Sequence, residues 1–263
     1  MITSTANAQV KEIRKLRERK ERQESGLYYI EGLRIVIEAI QQKQEIDTLI
    51  VAPDLLTSSV GHQAVEGQVK RGARVLEVSE DVFKNFAIKD NPQGIAAVVQ
   101  QHWTPLSGLA PGNGDLYAAL DAVQDPGNLG TILRTSDAVG AKGVILLDHS
   151  TDPFDPSTVR GSMGAIFSQS LTKSTLKEFG EWKTQHHCQV IGTSGAAIHN
   201  YHQFKYSTPM VLLMGSERQG LTEDHIALCD DMVKIPMVGR SDSLNLAIAT
   251  AVILYEIFNQ IHP

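Results

Sequence analysis

Between residues 116 and 258, short and almost wholly apolar runs alternate with helix-like segments, and no other feature of the chain narrows its fold so far. Runs such as Leu116-Tyr117-Ala118-Ala119-Leu120 and Met210-Val211-Leu212-Leu213-Met214 carry no charged residue. A strand of that kind is covered on both faces, as happens in a parallel sheet flanked by helices. Strands are expected at 116–121, 143–147, 167–171, 189–193, 210–214 and 232–235, and helices at 128–139, 157–165, 175–184, 222–228 and 244–260. Ligands of such sheets bind outside the carboxyl ends of the strands. The loops that follow the strands are therefore where function is sought.

The chain upstream also alternates. Residues 5–24 read as one charged helix, which Gly26 breaks. Strands are expected at 27–31, 47–51, 75–78 and 95–99, and helices at 33–41, 60–70 and 81–86, which makes a small α/β sandwich over 1–100. Residues 101–115 hold two Pro and three Gly with no periodicity and read as a linker to a second domain at 116–263. A length of 263 residues suits two domains with separate cores.

The net charge of −6 argues at first against nucleic acid, but the average hides an asymmetry. Residues 1–24 hold seven Lys/Arg against four Glu, leaving +3 there and −9 on the remainder. That basic segment either touches phosphates or is a solvated face laced with pairs such as Glu18–Arg22. No apolar run spans a membrane, the N-terminus is not a secretory signal, and Cys188 and Cys229 have no metal or redox spacing, so a cytoplasmic protein is expected. His186, His187, Cys188, His199 and His202 match no zinc pattern, and no metal is expected.

Three loops concentrate functional residue types. Asp121 to Thr135 carries Gly127 and Gly130, with Asn128 placed to cap a helix and Arg134 beyond its first turn. Gly215-Ser216-Glu217-Arg218-Gln219-Gly220 is a Gly-flanked carboxylate. Ile235 to Ala247 runs from a strand through a polar loop into a long helix, with Ser243 as a plausible cap and small residues at 247, 249 and 251 that let a flat ligand approach. Three such loops on one sheet edge suggest a binding site. Neither a dinucleotide nor a phosphate-binding glycine motif is present, which argues against NAD and ATP. Ser243 lacks the strained elbow of a serine hydrolase.

These loops resemble the SpoU (TrmH-type) branch of the SPOUT superfamily, the RNA ribose 2′-O-methyltransferases. The matching motifs are Asp-Pro-Gly-Asn-x-Gly-x-x-x-Arg-Thr at 125–135, Gly-x-Glu-x-x-Gly at 215–220 and Ile-Pro-Met through Ser-Leu-Asn at 235–245. Val159-Arg160-Gly161-Ser162-Met163-Gly164-Ala165 also resembles the family, and Tyr29-Ile30-Glu31-Gly32 resembles the small ribosomal-protein-like domain that precedes the catalytic domain in several rRNA-modifying members. The resemblance implies an N-terminal α/β sandwich that binds RNA. It also implies a C-terminal, mostly parallel sheet with a deep trefoil knot, S-adenosyl-L-methionine as cofactor, and a homodimer.

By the same resemblance, Arg134 is the central catalytic residue, either as base or as a clamp on an RNA phosphate. Asn128 orients Arg134 or the ribose, Glu217 holds Arg134 or the substrate, and Ser243 and Asn245 position the 2′-OH or phosphate. Gly215, Ile235 and Leu244 surround the cofactor with backbone groups, with Thr193 and Met237 nearby. A patch of Arg134, Arg160, Arg218 and Arg240 would offset the acidic charge. Ribosomal RNA is favoured over tRNA because of the extra domain. The alternatives are a tRNA ribose or RNA base methyltransferase, and an RNA-binding or assembly protein without catalysis.

Overall fold

The computed structural model describes every residue except Lys89, His149 and Pro263. It divides into two compact units, Met1–Gln101 with Phe154–Phe167, and His102–Pro153 with Ser168–Pro263.

The first unit holds strands β1 (Leu27–Glu31), β2 (Ile46–Val51), β3 (Val75–Glu77) and β4 (Ile95–Gln100), in the order β1-β4-β2-β3. β4 runs antiparallel to both β1 and β2, and β3 runs parallel to β2. Side chains alternate between faces with the strand period of two. Tyr29, Ile50, Ala96 and Val98 join Val10 and Ile13 of α1 (Ala8–Lys15) and Phe83 and Phe86 of the 80–86 helix in one buried cluster. On β1 and β4 also packs a helix at 33–41, burying Val36 and Ala39.

The charged N-terminal segment is two helices, α1 and α2 (Arg19–Ser25), where one was expected. The cause is Arg22, which is 1% exposed. Its Nη1 donates to the carbonyls of Leu16 (2.9 Å) and Arg17 (2.7 Å), and Nη2 lies 3.4 Å from the Asp155 carboxylate. Carbonyls left open where a helix ends need a donor, and here a buried guanidinium supplies it. Arg22 is thus structural and is not available to a phosphate. Replacing it leaves Asp155 and two carbonyls without that donor. Arg22→Ala is expected to lower stability by about 3 kcal/mol, measured as a fall in the urea midpoint.

The helices that follow are α3 (Leu33–Gln41), α4 (Ser59–Lys70), α5 (Glu80–Phe86), α6 (Pro126–Ala138) and α7 (Pro156–Ser162). α7 belongs to the first unit and packs on β1, although its sequence lies inside the expected second domain.

The second unit is built on a seven-stranded sheet with β5 (Leu116–Asp121), β6 (Gly143–Leu147), β7 (Ser170–Ser174), β8 (Gln189–Thr193), β9 (His199–Asn200), β10 (Met210–Met214) and β11 (Asp231–Lys234). The order is β7-β6-β5-β10-β8-β11-β9 and every pairing is parallel. One face carries Tyr117, Ala119, Val211 and Leu213 against Phe179 and Trp182 of α8 (Leu176–His186). Helices α9 (Glu223–Leu228) and α10 (Leu246–Ile261) complete the unit, and α10 packs on α6 and β10.

Two expectations shift. β7 starts three residues later than the apolar content suggested, because Ala165–Phe167 forms a 3-10 turn. The segment 101–115 is not a free tether, since Leu109 is 5% exposed and its carbonyl accepts the Trp182 indole N–H at 3.1 Å. The sheet order changes direction beside β5, where β10 and β8 are laid down. The carboxyl ends of β5, β10, β8 and β11 therefore share one edge, at a topological switch point of the kind that binds ligands.

Candidate functional site

Three loops leave that edge. After β5 the chain turns into α6. Asp125 caps this helix, its Oδ1 accepting the Asn128 N–H at 2.7 Å, and Pro126 follows at the first helical position. Asn128 was the expected cap; it lies within the first turn instead, which frees its side chain. The Asp-Pro pair was the usable signal, because proline at that position needs no N–H partner.

After β10 comes the tight loop 215–220, closed by mutual backbone bonds between Ser216 and Gly220 (3.2 and 3.0 Å). A side chain on Gly215 would collide with the Gly220 carbonyl and the Leu221 nitrogen. The loop presents Glu217 to the loop after β5. Its Oε2 accepts the Gln124 N–H at 3.2 Å, and its Oε1 accepts the Asn128 Nδ2–H at 3.1 Å.

After β11 comes the loop that ends at Asn245. Asn245, and not Ser243, caps α10: its Oδ1 accepts the N–H groups of Ala247 (2.9 Å) and Ile248 (3.3 Å). With that oxygen committed, its Nδ2 donates to Asn128 Oδ1 at 2.9 Å. Asn128 in turn must donate to Glu217. Both amide orientations follow from the two fixed ends, the helix N–H groups and the carboxylate. A directed chain of hydrogen bonds thus runs from the N-terminus of α10 through Asn245 and Asn128 to Glu217.

Glu217 therefore holds Asn128, where the sequence suggested Arg134 or substrate. Arg134 lies six residues along α6 from Asn128, roughly 9 Å at the helical rise. It is exposed and forms no ion pair or side-chain hydrogen bond among the described residues.

Two clefts meet at this chain. The first, about 850 Å³, is lined by all five expected cofactor residues, Thr193, Gly215, Ile235, Met237 and Leu244, together with Glu217, Ser243 and Asn245. Met214, Val233, Leu246 and Ile253 give it apolar walls. The second, about 700 Å³, is lined by Asn128, Glu217, Arg218 and Asn245. Arg134 lines neither. Of the expected arginine patch, Arg218 is at the second cleft and Arg160 belongs to the first unit.

One polar group near the end of β5 had no sequence signal. His225 is 5% exposed, with Nε2 3.4 Å from Asp121 Oδ1 and Nδ1 2.6 Å from the Thr222 hydroxyl. Asp148 brings a third donor within 4.8 Å. Asp121, Asp148 and His225 are 27 or more positions apart in the chain, so no local spacing announces them.

Asn245→Ala removes the cap and the donor to Asn128 Oδ1, while the bond from Asn128 Nδ2 to Glu217 remains. The expected result is a loss of about 1 kcal/mol in stability from the cap, read by thermal denaturation. Any catalytic effect beyond that is assigned to the lost bond to Asn128.

Comparison with known proteins gives consistent results. Residues 115–255 match the model of the SpoU rRNA Methylase family, and residues 7–97 match an MRM3-like substrate binding domain. The 23S rRNA (guanosine(2553)-2′-O)-methyltransferase RlmP of Bacillus subtilis is 30% identical over 97% of this chain and 98% of its own length. The 23S rRNA (uridine(2479)-2′-O)-methyltransferase of Streptomyces viridochromogenes is 29% identical over 92% of this chain and 86% of its own. A crystal structure of an AdoMet-bound rRNA methyltransferase from Sinorhizobium meliloti superposes with a TM-score of 0.89, at 41% identity, covering 97% of this chain and 95% of that one. The fold is thus the expected α/β class, a mostly parallel SPOUT sheet of the type that carries a trefoil knot.

Proposed function

The chain belongs to the SpoU rRNA methylase family, and from that membership we propose that it methylates a ribose 2′-OH of ribosomal RNA, using S-adenosyl-L-methionine. The observation that carries this reading is the meeting of the two clefts at Glu217 and Asn245. One cleft is sized for a cofactor, in the range of roughly 300–1,000 Å³ usual for small-molecule sites. Its rim is strand ends and loop backbone, and the lack of a side chain at Gly215 lets the 215–220 loop close tightly against Gly220 beside it. That donor set fits a cofactor bound through main-chain groups and flat against apolar walls. When bound, S-adenosyl-L-methionine supplies a methyl group already activated on a sulfonium sulfur.

The chain's own residues have two tasks, alignment and charge. A ribose hydroxyl is a weak nucleophile at neutral pH, so it has to be held in line, and the negative charge that develops as its proton passes to water has to be stabilised. Asn128, Glu217, Ser243 and Asn245 are assigned to alignment at the junction of the clefts. Arg134 is assigned to an RNA phosphate and to the developing charge, as a planar two-pronged donor. Thr193, Gly215, Ile235, Met237 and Leu244 are assigned to the cofactor.

The working form is a homodimer. In support, α10 leaves Ile248 (51%) and Tyr255 (47%) exposed, a spacing that puts both on one helix face for a second copy to cover. No described helix is long and apolar enough to cross a membrane, which is compatible with the cytoplasmic location we assign. Transfer of labelled methyl to unmodified rRNA tests the function, and sedimentation tests the dimer.

A further inference from the structure

Two segments with distinctive sequences take no part in the site above: Tyr29-Ile30-Glu31-Gly32 and Val159 to Ala165. The first unit brings them together. They line an apolar pocket of about 200 Å³ whose wall also includes Ile35 and Ile88, with Arg34 and Arg160 at its edge. Glu31 is 8% exposed. Its Oε2 accepts the Tyr29 hydroxyl at 3.2 Å and the Ile88 N–H at 2.6 Å. Burial and the adjacent carboxylate push the Tyr29 hydroxyl well above its usual range, so it stays a donor. The other oxygen, Oε1, is buried and has no hydrogen-bond partner among the described residues. A buried carboxylate oxygen without a donor is expensive to maintain, and Glu31 is among the residues that line the pocket. Arg34 and Arg160 are both exposed and form no ion pair or side-chain hydrogen bond among the described residues. Met163, 37% exposed and held in the left-handed region at φ 54°, supplies a polarizable flank.

We propose that this pocket binds one unstacked guanine of an RNA strand, with Glu31 accepting from its N–H edge and Arg34 and Arg160 holding the adjoining phosphates. The inference rests on RNA being the substrate and adds a second, base-reading contact remote in sequence from the methyl-transfer site. The volume is below the roughly 300 Å³ at which drug-sized pockets begin, which suits a single ring system rather than a whole nucleotide. Guanine offers two adjacent N–H donors on its Watson–Crick edge, whereas uracil offers one N–H between two carbonyl oxygens that would face the carboxylate. Bases splayed from single strands are read in this way, on that edge and against side-chain planes.

The test uses the full chain and two RNA pentamers, 5′-UUGUU-3′ and 5′-UUUUU-3′, with guanosine 5′-monophosphate as a third probe. Binding is followed by the methyl NMR signals of Ile35, Ile88 and Met163 and by fluorescence anisotropy. The guanine pentamer is expected to bind at least tenfold more tightly than the uracil one and to move those three signals. The double variant Arg34→Ala/Arg160→Ala, altered only at exposed positions, should lose about tenfold in affinity. Its slope of log affinity against log salt should flatten by roughly 1.4, the value for two phosphates on a single strand. Glu31→Gln, if folded, should remove the preference between pentamers. Equal affinity for the two pentamers, or unchanged binding by the double variant, would overturn the proposal. Saturation by the mononucleotide at the pentamer's affinity would overturn the RNA strand as the source. A chain that shows the expected binding but transfers no methyl would contradict the proposed function and leave the pocket standing. Normal transfer without the binding pattern would do the reverse.

Discussion

Arg134→Ala is expected to slow methyl transfer by about a thousandfold while leaving cofactor affinity and stability unchanged. The size follows from removing a charged donor that acts on developing negative charge, which costs roughly 10²–10³ in rate. The selectivity follows from position: Arg134 is exposed on α6 and lines neither cleft, and exposed substitutions of this kind stay within about 0.5 kcal/mol in stability. Rate, cofactor titration and urea midpoint, measured on one preparation, check all three parts. Arg134→Lys separates the two roles open to this residue. Lysine can give up its proton near pH ~10.4, whereas arginine holds its own to far higher pH. If the side chain were the base, the lysine enzyme would gain on the wild type as pH rises toward 10. A phosphate clamp predicts partial activity, from charge without the planar fork, and no such gain.

Gly215→Ala is expected to weaken cofactor binding by about a hundredfold, equivalent to about 2.7 kcal/mol. A methyl group there meets the Gly220 carbonyl and the Leu221 nitrogen, which are backbone atoms and cannot rotate away. The loop 215–220 has to move, and Glu217 moves with it, so the contacts to Gln124 and Asn128 go as well. Gly195→Ala is the matched control. Gly195 lines the same cleft, but an added methyl meets nothing within 4 Å. Calorimetric titration with S-adenosyl-L-methionine should find Gly195→Ala close to wild type. Equal losses in both variants would remove the steric account.

How much of this was legible in the sequence depends on the range over which each feature is encoded. β5 and β10 were legible because a strand buried on both faces has to be apolar throughout, and that is a local property. The three functional loops were legible as motifs, and all five expected cofactor residues line one cleft. The break between α1 and α2 was not, because it is made by Arg22 folding back to carbonyls five and six residues away and to Asp155, 133 residues on. The Asn128–Asn245 bond joins residues 117 apart and the Asn128–Glu217 bond residues 89 apart, so no local spacing announces either. Caps were misassigned where several capping residues adjoin: Asp125 against Asn128, and Asn245 against Ser243. Each of these types can cap, so only the geometry of the turn selects one. α7 grouping with the first unit, and the pocket it forms there, had no local sign at all.

The most direct test of the central claim is transfer of labelled methyl from S-adenosyl-L-methionine to unmodified rRNA and tRNA, followed by alkaline digestion. A methylated 2′-oxygen cannot form the cyclic phosphate through which alkali cleaves RNA. Label in alkali-resistant dinucleotides from rRNA is the predicted result. Label found only in mononucleotides would mean that a base is methylated, and it would contradict both the ribose assignment and the roles given to Ser243 and Asn245.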